Sequence, residues 1–239
     1  MNRAIARRHG PNRRSTAPVA DRTTFAITLG AITGVLLAMA VAAPPLAAQT
    51  APVETASLAD GPFASMRMLL EKTFLKVDVL TLDVRFGSDA AGRIRALAEG
   101  REYAHPLADS IANVAAHATD AYARLRFERN VGLDQFLDGI RDNLERALAA
   151  GYIDRAAFDE ISGGLPGWYA FLADRGIHEG DEMFYRIRGD ELRVVYVATD
   201  GTTLLDRTDP GAHRRLAVLG SYYAPGSDFR ESLIRSLFP

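Results

Sequence analysis

Two acidic residues five positions apart, Asp78 and Asp83, are the pair in this chain that comes nearest to an acid–base site. Two carboxylates that share a site can divide the roles of proton donor and proton acceptor. Side chains alternate along a strand, so a separation of five places the two residues on opposite faces of a sheet unless a bulge intervenes. The spacing therefore favours two independent surface carboxylates.

Metal, thiol and hydroxyl chemistry have little support in the sequence. His105, His117, His178 and His213 are widely spaced and lack the acidic neighbours of a metal site. The chain has no cysteine, which excludes a thiolate nucleophile and a disulfide. Ser227 precedes a helical stretch, where a serine caps the helix rather than attacking a substrate. We therefore predict neither a metal ion nor a cofactor.

The best candidate for binding an anion is Arg67, because a guanidinium matches a carboxylate with two parallel hydrogen bonds. The alternative interpretation is an exposed arginine on an edge strand. Asn143 is either a polar residue that lines a cleft or a solvated position on a helix. We interpret the large aromatic residues late in the chain as core rather than as a ligand cage. These are Trp168, Tyr169, Tyr222 and Tyr223.

The elements that must position these residues are clearest between Asp120 and Gly151. Ala123, Leu125 and Phe127 alternate with charged residues, which predicts a half-buried strand. After this strand the apolar residues recur every three or four positions, which predicts a long amphipathic helix that ends at Gly151. A strand followed by a helix that folds back over the sheet indicates a two-layer α+β domain.

The other patterns extend this architecture. Strands are predicted at 66–70, 74–86, 183–188, 192–198 and 202–206. The second of these shifts its apolar parity near Val79 and Leu80, which predicts a bulge there. Further helices are predicted at 88–98, from Pro106, from an Asp154 cap to a break at 163–167, at 168–174, at 211–223 and at 228–237.

Charge is distributed unevenly along the chain. It has 28 basic and 30 acidic residues, but the first 48 residues hold six arginines and one aspartate, which leaves a net charge of −7 for the rest. An acidic domain argues against nucleic acid as a partner, because nucleic-acid binding requires a basic face.

The N-terminal stretch has the order of an export signal. A basic flank precedes an uncharged run at 23–43 and a small-residue exit near Ala48. An uncleaved membrane anchor is the alternative, since about 20 apolar residues can span a bilayer. We predict a signal peptide over 1–48, a linker over 49–64 and one domain over 65–239. The domain is expected to be exported, periplasmic or attached to the envelope, with membrane contact only through such an anchor.

Four segments in a fixed order resemble the chalcone isomerase-like superfamily, in particular its exported bacterial members. They are FLKVDVLTL at 74–82, LRFERNVGLDQFLDGIRDNL at 125–144, HEGDEMFYRI at 178–187 and YYAPGSDFRESLIRSLF at 222–238. The resemblance implies an α+β open-faced β-sandwich, in which helices cover a large antiparallel sheet and a ligand cleft lies between them. It also implies one of two activities. The plant enzymes close a phenoxide onto an enone, mainly by positioning and electrostatic stabilisation. Other members bind fatty acids, with an arginine on the carboxylate.

The functional positions of the family fall on a changed set of residues here. Its cleft arginine matches Arg67, and its helix asparagine matches Asn143. Its catalytic tyrosine falls on Phe136, and the threonine of its long strand falls on Asp78. A late threonine corresponds to Thr208. Phe136 has no hydroxyl and Asp78 adds a carboxylate, so both depart from the pattern that chalcone isomerisation requires.

The resemblance therefore implies three hypotheses. In the first, the cleft binds a fatty-acid-like or other small amphipathic ligand through Arg67, Phe136, Asn143 and Thr208. In the second, the domain is an isomerase or intramolecular lyase on an unknown substrate. Arg67 would then stabilise charge, Asp78 would accept a proton and Asn143 would position the substrate. In the third, the domain is a non-catalytic envelope interaction module.

Overall fold

The computed structural model describes residues 53–72 and 77–239, with the side chains of 53–71 and 79–239. The predicted signal peptide, the first residues of the predicted linker and the Asp78 side chain lie outside the described residues. Among the residues described, no helix is long and apolar enough to cross a bilayer.

Six strands form one antiparallel sheet in which each strand pairs with the next one along the chain. They are β1 (Ser65–Lys72), β2 (Val77–Phe86), β3 (Asp120–Phe127), β4 (Glu182–Arg188), β5 (Glu191–Val197) and β6 (Thr203–Pro210). The strand β6 continues beyond the predicted end at Asp206, because it pairs along β5 as far as Glu191 opposite Pro210. A proline is tolerated there because β6 is an edge strand.

Helices cover one face of this sheet. They are α1 (Ser88–Ala98), α2 (His105–Ala116), α3 (Leu133–Ala149), α4 (Arg155–Trp168), α5 (Ala212–Tyr223) and α6 (Arg230–Arg235), with a 3-10 turn at Ala170–Leu172. The main core lies between these helices and the sheet. The predicted class is thus confirmed as an α+β open-faced sandwich with a six-stranded antiparallel sheet.

Side-chain alternation separates the two faces of the sheet. Ala123, Leu125 and Phe127 of β3 face the helices and are buried, as their spacing predicts. The opposite face, called the outer face below, carries cross-strand ion pairs such as Arg67 with Asp83. Such alternation is expected when one face of an antiparallel sheet packs on helices and the other meets solvent.

The bulge predicted in β2 is present. Leu70 pairs with Leu80 but Glu71 pairs with Asp78, so Val79 is an extra residue opposite β1. An extra residue lets two consecutive side chains turn toward the same side. Val79 and Leu80 are accordingly both buried.

The predicted break in α4 is wrong, because the helix runs without interruption through the glycine-rich stretch to Trp168. It begins where predicted, with the Asp154 carboxylate accepting a hydrogen bond from the Ala157 N–H at 2.8 Å. Pro166 lies in the last turn, so the hydrogen bond that it cannot donate is lost near the end of the helix and does not interrupt it.

Residues 53–58, which belong to the predicted linker, pack against the outer face, whereas Phe63 and Ala64 pack with the main core. Val53 and Leu58 are buried there with Tyr122 and Phe184. Arg186 fastens this segment, because its guanidinium donates to the Glu54 carbonyl at 2.9 Å. Burial of two apolar side chains accounts for the ordered packing of a segment with linker-like composition.

Candidate functional site

A cavity of about 200 Å³ lies between the inner face of the sheet and helices α3, α4 and α5. Its walls are mostly apolar. The bulge in β2 supplies Val79 and Leu80 as neighbouring wall residues, and α3 supplies Ile140 and Leu144 from successive turns. The elements that close the core thus also enclose the cavity.

Aromatic rings form the middle of the cavity wall. Phe136 on α3 packs against Phe127 with ring centres 5.9 Å apart and against Tyr169 at 5.1 Å, both edge to face. Edge-to-face contacts at these distances are favourable and hold rings in one orientation. Phe136, one of the predicted ligand residues, therefore lines the cavity as a fixed apolar surface.

Three phenols supply polar groups in this mostly apolar wall. Tyr169, Tyr185 and Tyr222 line the cavity and are all buried. Burial raises the pKa of each of these phenols, and the pKa of Tyr185 is raised further by its neighbour Tyr169. The phenols therefore remain neutral, so that they can donate a hydrogen bond to a ligand but are poor bases.

Charged residues concentrate at one end of the cavity. Arg207 of β6 and Arg214 of α5 place their guanidinium groups 4.3 Å and 4.6 Å from the centre of the Trp168 ring. Asp209 accepts hydrogen bonds from Arg207 at 2.7 Å and 2.9 Å. We call Trp168, Arg207, Asp209 and Arg214 the charged end of the cavity; the remaining charged residue of the wall is Asp228, beyond the other end of α5.

Arg214 has an acidic partner outside the cavity wall. Its Nη2 donates to Glu160 Oε1 at 2.6 Å, and the other oxygen of Glu160 lies 3.5 Å from His213 Nε2. The Arg214 side chain is 12% exposed, whereas the Glu160 side chain is 55% exposed. The cation is thus held at the cavity and its carboxylate partner approaches from solvent.

The structure brings two of the predicted residues to the cavity. Asn143 lines it, about two turns along α3 from Phe136. The Asn143 side-chain oxygen accepts a hydrogen bond from Arg146 Nη1 at 3.0 Å, which orients the amide. Helical spacing within α3 is what places both residues on the same side.

The other predicted residues lie elsewhere. Arg67 is on the outer face, with a side chain 72% exposed and its Nε 3.0 Å from Asp83 Oδ1. It stands between Met66 and Met68, which are buried on the inner face, so strand alternation directs it away from the cavity. Arg67 therefore cannot bind an anion in this cavity, and the expectation that it does so is wrong.

Thr208 is also directed away from the cavity. It pairs with Arg193, which binds Asp206 on the outer face, and Thr208 itself is exposed. Its neighbours Arg207 and Asp209 line the cavity instead. The backbone of Asp78 pairs with Glu71 at the bulge, and its side chain is outside the described residues.

The Glu-Gly-Asp segment that contributed to the family resemblance has a structural explanation. Asp181 is fully buried and accepts hydrogen bonds from Arg175 at 2.7 Å and from Tyr196 at 2.7 Å. Backbone N–H groups of His178 and Thr199 also donate to it. These contacts tie the loop before β4 to the end of β5.

Several residues of the site had no signal in the sequence that was strong enough to identify them. Arg207 and Asp209 follow the predicted end of the last strand. Their alternation with Thr208 therefore lay outside any predicted strand and gave no indication of which face they occupy. Arg214 and Tyr185 belong to correctly predicted elements but meet the cavity only after folding. The consecutive elements β6 and α5 meet α4 at Trp168, and this convergence is a tertiary property.

Within the described part of the chain, no group of three or more acidic or histidine side chains is arranged to hold a metal ion. A scan against protein-family models and a search of the curated proteins both find no match for this chain. Function is therefore inferred from the geometry of the cavity.

Proposed function

We propose that this domain binds a small amphipathic ligand in the cavity between the sheet and α3, α4 and α5. The carrying observation is a preformed apolar cavity with neutral phenols in its wall and charged residues at one end. Ligand pockets are typically apolar with a few placed polar groups. A cleft between sheet and helices is also what the resemblance to the chalcone isomerase-like superfamily implies, so a fatty-acid-like ligand fits this proposal.

The cavity volume limits the size of the ligand. A dry cavity of about 150 Å³ lined by aliphatic and aromatic residues is large enough for benzene. By that proportion, the 200 Å³ observed here accommodates an apolar body of about eight carbon atoms. This size favours a medium-chain amphiphile over a long-chain lipid.

Filling the cavity provides the test. Gly139 on α3 lines the cavity, and a Cβ added there meets no other atom within 4 Å. We expect Gly139→Leu to place its side chain in the ligand volume and to abolish uptake of octanoate and 1-octanol by the full-length protein, measured by calorimetry and native mass spectrometry.

A matched control is available in α4. Gly163 is exposed and equally open to a Cβ, so Gly163→Leu makes the same change in helix propensity without entering the cavity. We expect it to bind both ligands as the unsubstituted protein does. If the unsubstituted protein takes up neither compound, the ligand-binding proposal fails and the envelope interaction module becomes the better hypothesis.

One observation favours an enzyme as the second candidate. Tyr169 packs directly on Phe136, and Tyr185 lines the same cavity, so phenol groups occupy the region where the family tyrosine is replaced. A buried neutral phenol can stabilise a developing enolate oxygen by donating a hydrogen bond. Turnover of a chalcone-like hydroxy-enone that Tyr185→Phe slows at least tenfold would support an isomerase; ligand uptake without product would reject it.

We also propose that the protein is exported through the segment 1–48. The basic flank, uncharged run and small residues near Ala48 support this. The intact mass of the protein recovered from the periplasm or envelope of an expressing bacterium is the test. Cleavage near Ala48 supports a signal peptide, and a full-length mass in the membrane fraction supports an anchor.

A further inference from the structure

We propose that Arg214 binds an anionic head group of the cavity ligand and that Glu160 is an intramolecular competitor for the same guanidinium. This rests on the proposed function, because it assigns the polar end of that ligand. Arg214 lines the cavity with a side chain only 12% exposed, and its guanidinium lies 4.6 Å from the centre of the Trp168 ring. A stacked guanidinium keeps its edges available for hydrogen bonds to a carboxylate.

Glu160, the carboxylate partner of Arg214, is the group that a ligand carboxylate can displace. Glu160 has a side chain that is 55% exposed, so its carboxylate is readily solvated when it leaves Arg214. A ligand carboxylate that enters from the cavity side can therefore replace Glu160 at small cost. Arg207 is less available, because Asp209 binds it through two hydrogen bonds and is itself only 20% exposed.

A second partner is in place for a displaced Glu160. His213 Nε2 is buried without a hydrogen-bond partner among the described residues, and it lies 3.5 Å from Glu160 Oε2. A small rotation of the Glu160 side chain brings its oxygen into hydrogen-bond range of this nitrogen. Displacement from Arg214 thus satisfies a buried polar atom that otherwise carries a cost.

The distribution of charge sets the direction of the ligand. Arg214 is in the first turn of α5, and Asp228 lies beyond the last residue of α5, Tyr223. At 1.5 Å per residue, about 13 Å of helix separate Arg214 from Tyr223. An anionic head group is attracted to the Arg214 end, so the apolar body extends from Arg214 into the apolar part of the cavity.

The test compares two ligands of equal chain length, octanoate and 1-octanol, on the full-length protein by titration calorimetry. We expect octanoate to bind more tightly. Arg214→Gln should weaken octanoate at least about tenfold, the size of one hydrogen bond to a charged group, and leave 1-octanol nearly unchanged. Glu160→Gln should strengthen octanoate several-fold, because the competitor loses its charge.

Arg193→Gln is the control, since Arg193 forms an equivalent arginine–carboxylate pair with Asp206 on the outer face. It should bind both ligands unchanged. Equal affinity for the two ligands, or weaker octanoate binding by Glu160→Gln, would overturn the head-group proposal while leaving the cavity proposal intact. If neither ligand binds the unsubstituted protein, the proposed function itself fails.

Discussion

The indole of Trp168 lies directly over the α-carbon of Gly164, one turn earlier in α4. A Cβ built on Gly164 would fall 2.4 Å from Trp168 Cζ2, which is closer than any such contact allows. The glycine therefore permits the position in which Trp168 meets Arg207 and Arg214. Glycine lowers helix propensity, but here it leaves the space that a Cβ would occupy free for the Trp168 ring.

Gly164→Ala should displace Trp168 and disturb the charged end of the cavity. Trp168 is the only tryptophan of the chain, so its fluorescence reports on this site alone. We expect a shifted emission maximum. We also expect octanoate to change the fluorescence intensity less than it does in the unsubstituted protein. Thermal unfolding should show no gain in stability, because the strain offsets the gain from a better helix former.

Gly163→Ala is the matched control for this substitution. Gly163 is exposed and has no atom within 4 Å of a built Cβ. We expect unchanged emission and a gain of about 0.5–1 kcal/mol from the removal of a glycine from a helix. An unchanged emission maximum in Gly164→Ala as well would show that Trp168 is not held by the glycine.

Arg67→Ala should leave ligand binding unchanged. The side chain is on the outer face and pairs with Asp83, and exposed pairs of this kind contribute about 0–1 kcal/mol. Calorimetry with octanoate and urea denaturation measure the two effects separately. A large loss of octanoate affinity with normal stability would restore the role that the family resemblance implies for Arg67.

Strongly periodic segments allowed the fold to be predicted. The alternation in β3, the three- and four-residue spacing in α3 and the parity shift at Val79 each correspond to an element in the structure. The resemblance named Phe136 and Asn143, and both line the cavity because residues seven apart on a helix share a side. Local patterns were therefore sufficient wherever one element defines the position.

The charged end of the cavity could not be predicted from the spacing of residues within one element. Arg67 was assigned to a cleft through the resemblance, although its place between Met66 and Met68 already indicates the opposite face. Arg207 and Arg214 meet at Trp168 only because β6, α5 and α4 pack together. No spacing within a single element encodes that meeting.

Arg186→Met should release residues 53–58 from the outer face. The Arg186 guanidinium donates to the Glu54 carbonyl at 2.9 Å and to Ser57 Oγ at 2.6 Å, and it lies 2.6 Å from Asp120 Oδ1. Methionine keeps an unbranched apolar stem but no donor, so we expect a loss of about 2 kcal/mol or more and faster proteolysis within this segment.

Arg193→Met serves as the comparison for Arg186→Met, because its ion pair with Asp206 is much more exposed. We expect at most about 1 kcal/mol of destabilisation and no new cleavage. Equal cleavage rates at 53–58 in both variants would show that burial of Val53 and Leu58, rather than Arg186, holds the segment.

Asp181→Asn should destabilise the fold and flatten its dependence on pH. Burial alone would raise the pKa of Asp181, but hydrogen bonds from Arg175, His178 N–H, Tyr196 and Thr199 N–H outweigh it and hold the pKa below its ordinary value of 3.8. The stability from this carboxylate is therefore complete above that value and declines as the pH falls through it toward the folded-state pKa.

Removal of the charge leaves the partly buried Arg175 without its carboxylate, which typically costs about 3 kcal/mol or more. Urea denaturation at pH 6 and pH 3 measures both effects. The unsubstituted protein should lose more stability between the two pH values than Asp181→Asn does, since only the former has this carboxylate to protonate. Equal losses would assign the acid sensitivity to other carboxylates and leave Asp181 a purely geometric role.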